Sequence, residues 1–118
     1  MNTRVPATRV TIHIGSCDQW KHRSLSGEIV RRARAAGLSG ATVLHGVEGF
    51  GASGAIRKTK FLSLASEHPV AIVIIDEDDK VLSFLPILDV LIPEGVVTLQ
   101  SCELVRYARM ANKVGGRA

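Results

Sequence analysis

The 118-residue sequence predicts an α+β domain of the ferredoxin-like βαββαβ type, a four-stranded antiparallel sheet with two helices on one face. Three observations predict it. Residues 8–14 alternate apolar and polar, with Val10, Ile12 and Ile14 on one side, which marks a half-buried strand. Residues 70–75 are an unbroken, largely β-branched apolar run, which marks a central strand. Each of these strands leads into a segment of helical periodicity, and two βαβ halves with short connections close into one split sheet.

Taken in order, residues 15–23 form a polar connection holding Trp20. Ser24 is placed to cap a helix reaching Ala36, with Leu25, Ile29, Ala33 and Ala36 at helical spacing and Gly37 as its stop. Residues 41–48 read as the second strand, followed by the glycine-rich stretch 49–54 and the basic run Arg57-Lys58-Thr59-Lys60. Periodicity leaves residues 61–65 open between a hairpin arm and a short helix. After the third strand, Asp76-Glu77-Asp78-Asp79 supplies the N-cap and suits the positive helix end. Val81, Leu85, Leu88 and Ile92 form that helix's expected buried stripe, with a kink or a shortened first segment at Pro86. Pro93-Glu94-Gly95 is a turn, residues 96–105 are the last strand, and residues 108–118 are expected to be a frayed tail behind a domain spanning 1–107.

Composition bounds the function. Apolar residues make up 46% and charged residues 22%, as in globular domains, and the longest apolar run falls far short of the roughly 20 residues a membrane helix needs. Met1-Asn2-Thr3-Arg4 carries no secretory apolar stretch, and Cys17 and Cys102 make no disulfide framework, so the expectation is a cytoplasmic protein. Charge divides along the chain. Residues 1–60 hold ten Lys/Arg against three Asp/Glu, and residues 61–118 hold five against eight. A basic half suits an anionic partner, whereas Arg31, Arg32 and Arg34 read equally well as a solvated helix face.

The glycine loop is the leading candidate site. Glycine lets backbone N–H groups approach an anion closely, and Arg57 and Lys58 could supply charge to a phosphate. Gly49-x-Gly51-x-x-Gly54 also matches the dinucleotide fingerprint. That reading requires a helix over residues 52–66 and too many βαβ units for this length, and Asp76 falls too late for the acidic position. No Gly-Lys-Ser/Thr follows, so a P-loop is excluded. His13, Cys17, His22 and His45 could be recruited to a soft metal, but they lack tight ligand pairing, and no metal site is assigned. No catalytic residues are assigned either, because no serine elbow, His-Glu-x-x-His or carboxylate pair can be argued. An RNA-binding module of this fold would stack bases on strand aromatics, and only Phe61 is a near candidate, so no nucleic-acid partner is expected.

From the first strand to Tyr107 the chain resembles the PII-like proteins, and within them the domain-of-unknown-function family 190. The segments carrying the resemblance are Ile14-Gly15, Ala36-Gly37-Leu38-Ser39-Gly40-Ala41-Thr42-Val43-Leu44, Gly49-Phe50-Gly51, Phe84-Leu85-Pro86-Ile87-Leu88-Asp89 and Glu94-Gly95-Val96-Val97-Thr98-Leu99, in that order. Relative to PII signalling proteins one additional residue separates Val43 from Gly49, placed at a bulge near Gly46. Ala52-Ser53 stand where PII continues with arginine and glutamine, and the second glycine-rich loop is cut down to Pro93-Glu94-Gly95. The resemblance implies a homotrimeric regulatory protein, not an enzyme, with an adenine nucleotide bound in clefts between subunits. It implies that Thr42, Gly49, Phe50 and Gly51 line such a cleft and that Arg106 faces phosphate from a neighbouring chain. It further implies that the loop contacts a membrane transporter or channel. A metal-binding trimer and an RNA-binding module are the alternatives.

Overall fold

The computed structural model describes residues 3–50, 57–58 and 67–107. Strand β1 (Arg4–Gly15) is followed by a two-residue hairpin of β2 (Gln19–Trp20) and β3 (Arg23–Ser24), then helix α1 (Leu25–Ala35). Strand β4 (Thr42–His45) comes next. A second small hairpin follows, β5 (Glu48–Gly49) with β6 (Arg57–Lys58), then β7 (Pro69–Glu77), α2 (Asp78–Leu91) and β8 (Val96–Val105). The main sheet runs β4-β7-β1-β8 with every neighbour antiparallel. The expected α+β architecture of two helices on a four-stranded antiparallel sheet is therefore present.

Alternation sets the two faces. Val10, Ile12 and Ile14 of β1 and Val70, Ile72 and Ile74 of β7 share one buried cluster with Leu25, Ile29 and Ala33 of α1 and Val81, Phe84, Leu88 and Leu91 of α2. Both helices thus cover the same sheet face. The opposite face carries Thr11 and His13 beside Val73 and Ala71, which in turn pair with Thr42 and Leu44. At the sheet's edge β8 runs ten residues, paired among the described strands with β1, and Val96, Val97 and Leu99 stay well exposed.

Helix α1 starts and stops as its sequence dictates. Ser24 Oγ accepts from Gly27 N at 3.3 Å. At the other end Gly37 N donates to the Arg34 carbonyl and Leu38 N to that of Ala33, a Schellman closure that requires the left-handed φ of +84° at Gly37. Ala36 caps this turn and is exposed, so the buried stripe ends at Ala33.

The polar connection 15–23 holds the β2–β3 hairpin, whose turn residues Lys21 and His22 adopt φ of +48° and +68°. Two expectations are corrected. The second strand is interrupted: β4 stops at His45, and Glu48–Gly49 pairs with Arg57–Lys58 instead. The acidic stretch does supply the N-cap of α2, at Glu77 and without a side-chain cap bond, while Asp76 is fully buried on the helix-covered side. The buried stripe of α2 is Val81, Phe84, Leu88 and Leu91, with Leu85 and Ile92 only partly covered, because the helix sits about one residue rotated from the simplest leucine pattern. The expected arm or helix at 61–65 and the tail at 108–118 lie outside the described residues. The strand at 57–58 is incompatible with the helix over 52–66 that the dinucleotide reading needs.

Candidate functional site

A cavity of about 470 Å3 opens where β1 ends and β7 and β8 begin, at the root of the β5–β6 hairpin. Its floor is a row across the helix-free sheet face, Leu44–Ala71–His13. Gly49 and Phe50 form the hairpin wall, and Asp18, Glu67 and Glu94 bring carboxylates from three loops. Phe50 is 71% exposed, so its ring is available to a flat ligand.

Hydrogen bonds fix the rim. Gly15 N donates to Asp18 Oδ2 at 2.9 Å, and Ser16 and His68 clasp each other, Ser16 N to the His68 carbonyl and His68 N to Ser16 Oγ. His45 Nδ1 lies 2.7 Å from Nε2 of the buried His68, which joins the last residue of β4 to the residue before β7. Because these two residues flank segment 46–67, the pair ties the hairpin's two roots together, with Gly46 N donating to the Pro69 carbonyl alongside.

One wall depends on the absence of a side chain. A Cβ on Gly95 would lie 2.9 Å from the His13 carbonyl oxygen, closer than real contacts allow, and a tight 3.3 Å from Ile14 Cγ2. Gly95→Ala is expected to push β8's entry away from β1, costing about 2 kcal/mol by overpacking. A thermal melt against wild type checks this.

The sequence-derived site residues divide into groups. Gly49 and Phe50 meet in the cleft. Thr42 lies two residues before Leu44 on the same sheet face, exposed and paired to Val73, one step from the cavity's lining. The backbones of Arg57 and Lys58 form β6 opposite Glu48 and Gly49. Gly51 lies outside the described residues. Arg106 sits at the far end of the sheet, where Nη2 is 3.2 Å from Asp76 Oδ1 and Nη1 donates to Ser39 Oγ. Asp76 Oδ2 accepts from Ser39 N and Ser39 Oγ, and its Oδ1 from Glu77 N. Burial alone would raise the Asp76 pKa, but the Glu77 and Ser39 hydrogen bonds outweigh it, and the carboxyl is held below the usual aspartate range.

Of the four metal candidates, His13 and His45 line the cleft, whereas Cys17 and His22 stand on the connection beyond it. Among the described residues, no group of three or more His, Cys, Asp or Glu side chains is placed to hold a metal. The main strands carry no Phe, Tyr or Trp, so the stacking platform of an RNA-binding sheet is absent from them. No helix among the described residues is long and apolar enough to cross a membrane. Sequence reasoning missed His68, Asp18, Glu67 and Glu94. His68 precedes Pro69 at a strand start, a signal of punctuation and not of a site, and the three carboxylates come from separate loops.

Comparison with known proteins agrees with this architecture. Residues 7–104 match the DUF190 family, described as "Uncharacterized ACR, COG1993". A UPF0166 protein of Aquifex aeolicus (strain VF5) is 38% identical over 77 residues, covering 65% of this chain and 72% of that protein. Among solved structures, CPII from Thiomonas intermedia K12, a nitrogen regulatory PII-like protein bound to ADP, AMP and bicarbonate, superposes with a TM-score of 0.58 at 17% identity, covering 88% of this chain and 92% of that one. A chain described as a PII-like signaling protein from Thermus thermophilus gives 0.58 at 20% identity, with 87% and 91% covered. The family match spans most of the chain and the solved structures share its fold: the chain belongs to the DUF190 family and has a PII-like fold.

Proposed function

We propose that this chain is a PII-like regulatory protein that binds an adenine nucleotide in the cleft at the hairpin root and changes the hairpin's conformation in response. The observation that carries the reading is the placement of Gly49 and Phe50 in the wall of a roughly nucleotide-sized cavity at the base of the one glycine-rich, basic arm. The described lining offers three carboxylates and three imidazoles, with no lysine or arginine among them. Those groups suit the donors of a nucleotide, its ribose hydroxyls and adenine amino group, while Phe50 stacks on the base. The phosphates then lie toward the arm, where Gly51, Arg57 and Lys58 supply amides and positive charge.

The strand order β4-β7-β1-β8 supports the ferredoxin-like assignment, with residues 1–107 as the domain. The exposed edge strand β8 and the apolar residues of the helix-free face support a homotrimer, in which Thr42 completes the cleft and Arg106 reaches it from a neighbouring subunit. CPII bound to ADP and AMP favours the adenine nucleotide class. In this reading the protein senses its ligand and does not transform it. Binding alters a partner's affinity only as far as the arm's two states differ in affinity for the nucleotide. The partner is a transporter or channel, and the setting is cytoplasmic.

Isothermal titration with AMP, ADP, ATP and cyclic AMP tests the reading. At least one is expected to bind, and Gly51→Asp, which places a carboxylate among the phosphates, is expected to weaken it by about 100-fold. Heat silence across the panel from correctly folded protein would overturn the proposal. Light scattering reads the trimer separately.

A further inference from the structure

Beside the cleft, and sharing none of its lining, the structure collects cations around one buried carboxylate. Glu28 of α1 is 3% exposed. Arg32 Nε donates to its Oε2 at 2.8 Å, Arg31 Nη2 pairs with its Oε1, and Arg23 Nη1 from β3 lies 3.5 Å from the same oxygen. The reading of Arg31 and Arg32 as a merely solvated face is therefore incomplete, since both are held in place. One carboxylate accepts about four hydrogen bonds, whereas each guanidinium carries five N–H groups. Donors therefore remain beyond those Glu28 can engage, and the Arg23 and Arg31 side chains are 63% and 54% exposed.

The β2–β3 hairpin extends the patch. Trp20 is packed against the core and is flanked on its ring by Lys21 Nζ at 4.7 Å and the Arg32 guanidinium at 5.0 Å. The turn residues Lys21 and His22 are both left-handed, a conformation that Asn-Gly adopts most cheaply. A turn with this backbone spends about 1 kcal/mol or more per residue to display a lysine and a histidine. Against the four cations Arg23, Arg31, Arg32 and Lys21 stand Glu28, already shared by three arginines, and, at the hairpin's root, Asp18, whose side chain accepts from Gly15 N, with Glu67 beside it over Gly15. The surface therefore keeps a net positive charge on preorganised forks.

We infer that Arg23, Arg31 and Arg32, aligned by Glu28 and extended by Lys21, form a docking surface for an acidic, carboxylate-rich segment of a partner protein. Arginine forks match planar carboxylates two bonds at a time, and the buried Glu28 has already removed much of the entropy cost of ordering them. A nucleic acid would look for an open aromatic face, but the Trp20 ring is flanked by two cations. A membrane surface would look for apolar residues among the cations, and the exposed residues of the hairpin and of α1's outer face are polar, glycine or alanine.

The chain's single tryptophan lies in the patch and reports on it. Titration of the full-length protein with a synthetic peptide rich in Asp and Glu is expected to change Trp20 emission saturably, and added salt should weaken the effect. The double variant Arg23→Gln/Arg31→Gln leaves Arg32 to pair Glu28 and should weaken binding by about tenfold or more, with Arg34→Gln, exposed in the last turn of α1, staying within about threefold of wild type. Circular dichroism confirms that the variants fold. No emission change with the peptide, equal weakening by Arg34→Gln, or a response confined to oligouridylate or phosphatidylserine vesicles would overturn the inference.

Discussion

Phe84→Ala is expected to cost about 4 kcal/mol and lower the melting temperature by roughly 15 °C. Phe84 is 1% exposed and is the largest fully buried side chain among the described residues, seated in the cluster that joins α2 to both central strands. Removing its ring leaves a void that β-branched neighbours on a hydrogen-bonded sheet cannot collapse into, so the lost transfer energy and the cavity term add. Leu85→Ala is the informative control. Leu85 is only partly buried, and its truncation should cost about 1.5 kcal/mol. Chemical denaturation of the two variants measures the difference, and equal losses would mean that α2 is rotated from the orientation described above.

Asp76→Ala should cost about 3 kcal/mol. Its carboxylate is fully buried and accepts from Ser39 N, Ser39 Oγ, Glu77 N and Arg106 Nη2. The substitution removes the shared acceptor of these donors and leaves the half-exposed Arg106 guanidinium with Glu77, 3.8 Å away, as its remaining carboxylate partner. It thereby uncouples three junctions that meet there: the α1–β4 loop, the β7–α2 boundary and the end of β8. The pH dependence has a definite sign. The folded pKa lies below the ordinary aspartate value of 3.8, so the unfolded chain takes up the proton first as pH falls. Asp76's contribution is therefore complete above that value and is lost as pH drops through the lower folded pKa. Urea melts of wild type and Asp76→Asn should show a gap that is constant at neutral pH and narrows only in strong acid. A gap that instead closed between pH 5 and 7 would assign the protection to another group.

Much of this fold could be read in the sequence because its signals are local. The alternation of residues 8–14 and the run at 70–75 gave the central strands, and both appear with the expected faces. Ser24 and Gly37 bounded α1 because capping is settled within four residues. Where the reading failed, distant partners had decided the outcome. Asp76 read only as part of the acidic stretch that caps α2, and the cap falls on Glu77, but Ser39, 37 residues away, and Arg106, 30 residues away, claim the Asp76 oxygens. His45 drew attention as a metal candidate, but its ring partner His68 lies across the entire hairpin. The glycine loop was singled out for its local composition, and its first two residues do line the cleft. The carboxylates facing it come from three separate loops and become neighbours only once the sheet has formed.

Strand β8 has a consequence for how the polypeptide behaves before it finds its proper neighbours. Ten consecutive residues, nearly all uncharged and several β-branched, offer a row of amides and carbonyls that no described strand pairs on the side away from β1. Such a ribbon templates any extended chain that meets it, including nascent copies of itself. Left uncovered while the polypeptide is being made, that ribbon is a segment open to edge-to-edge pairing between copies.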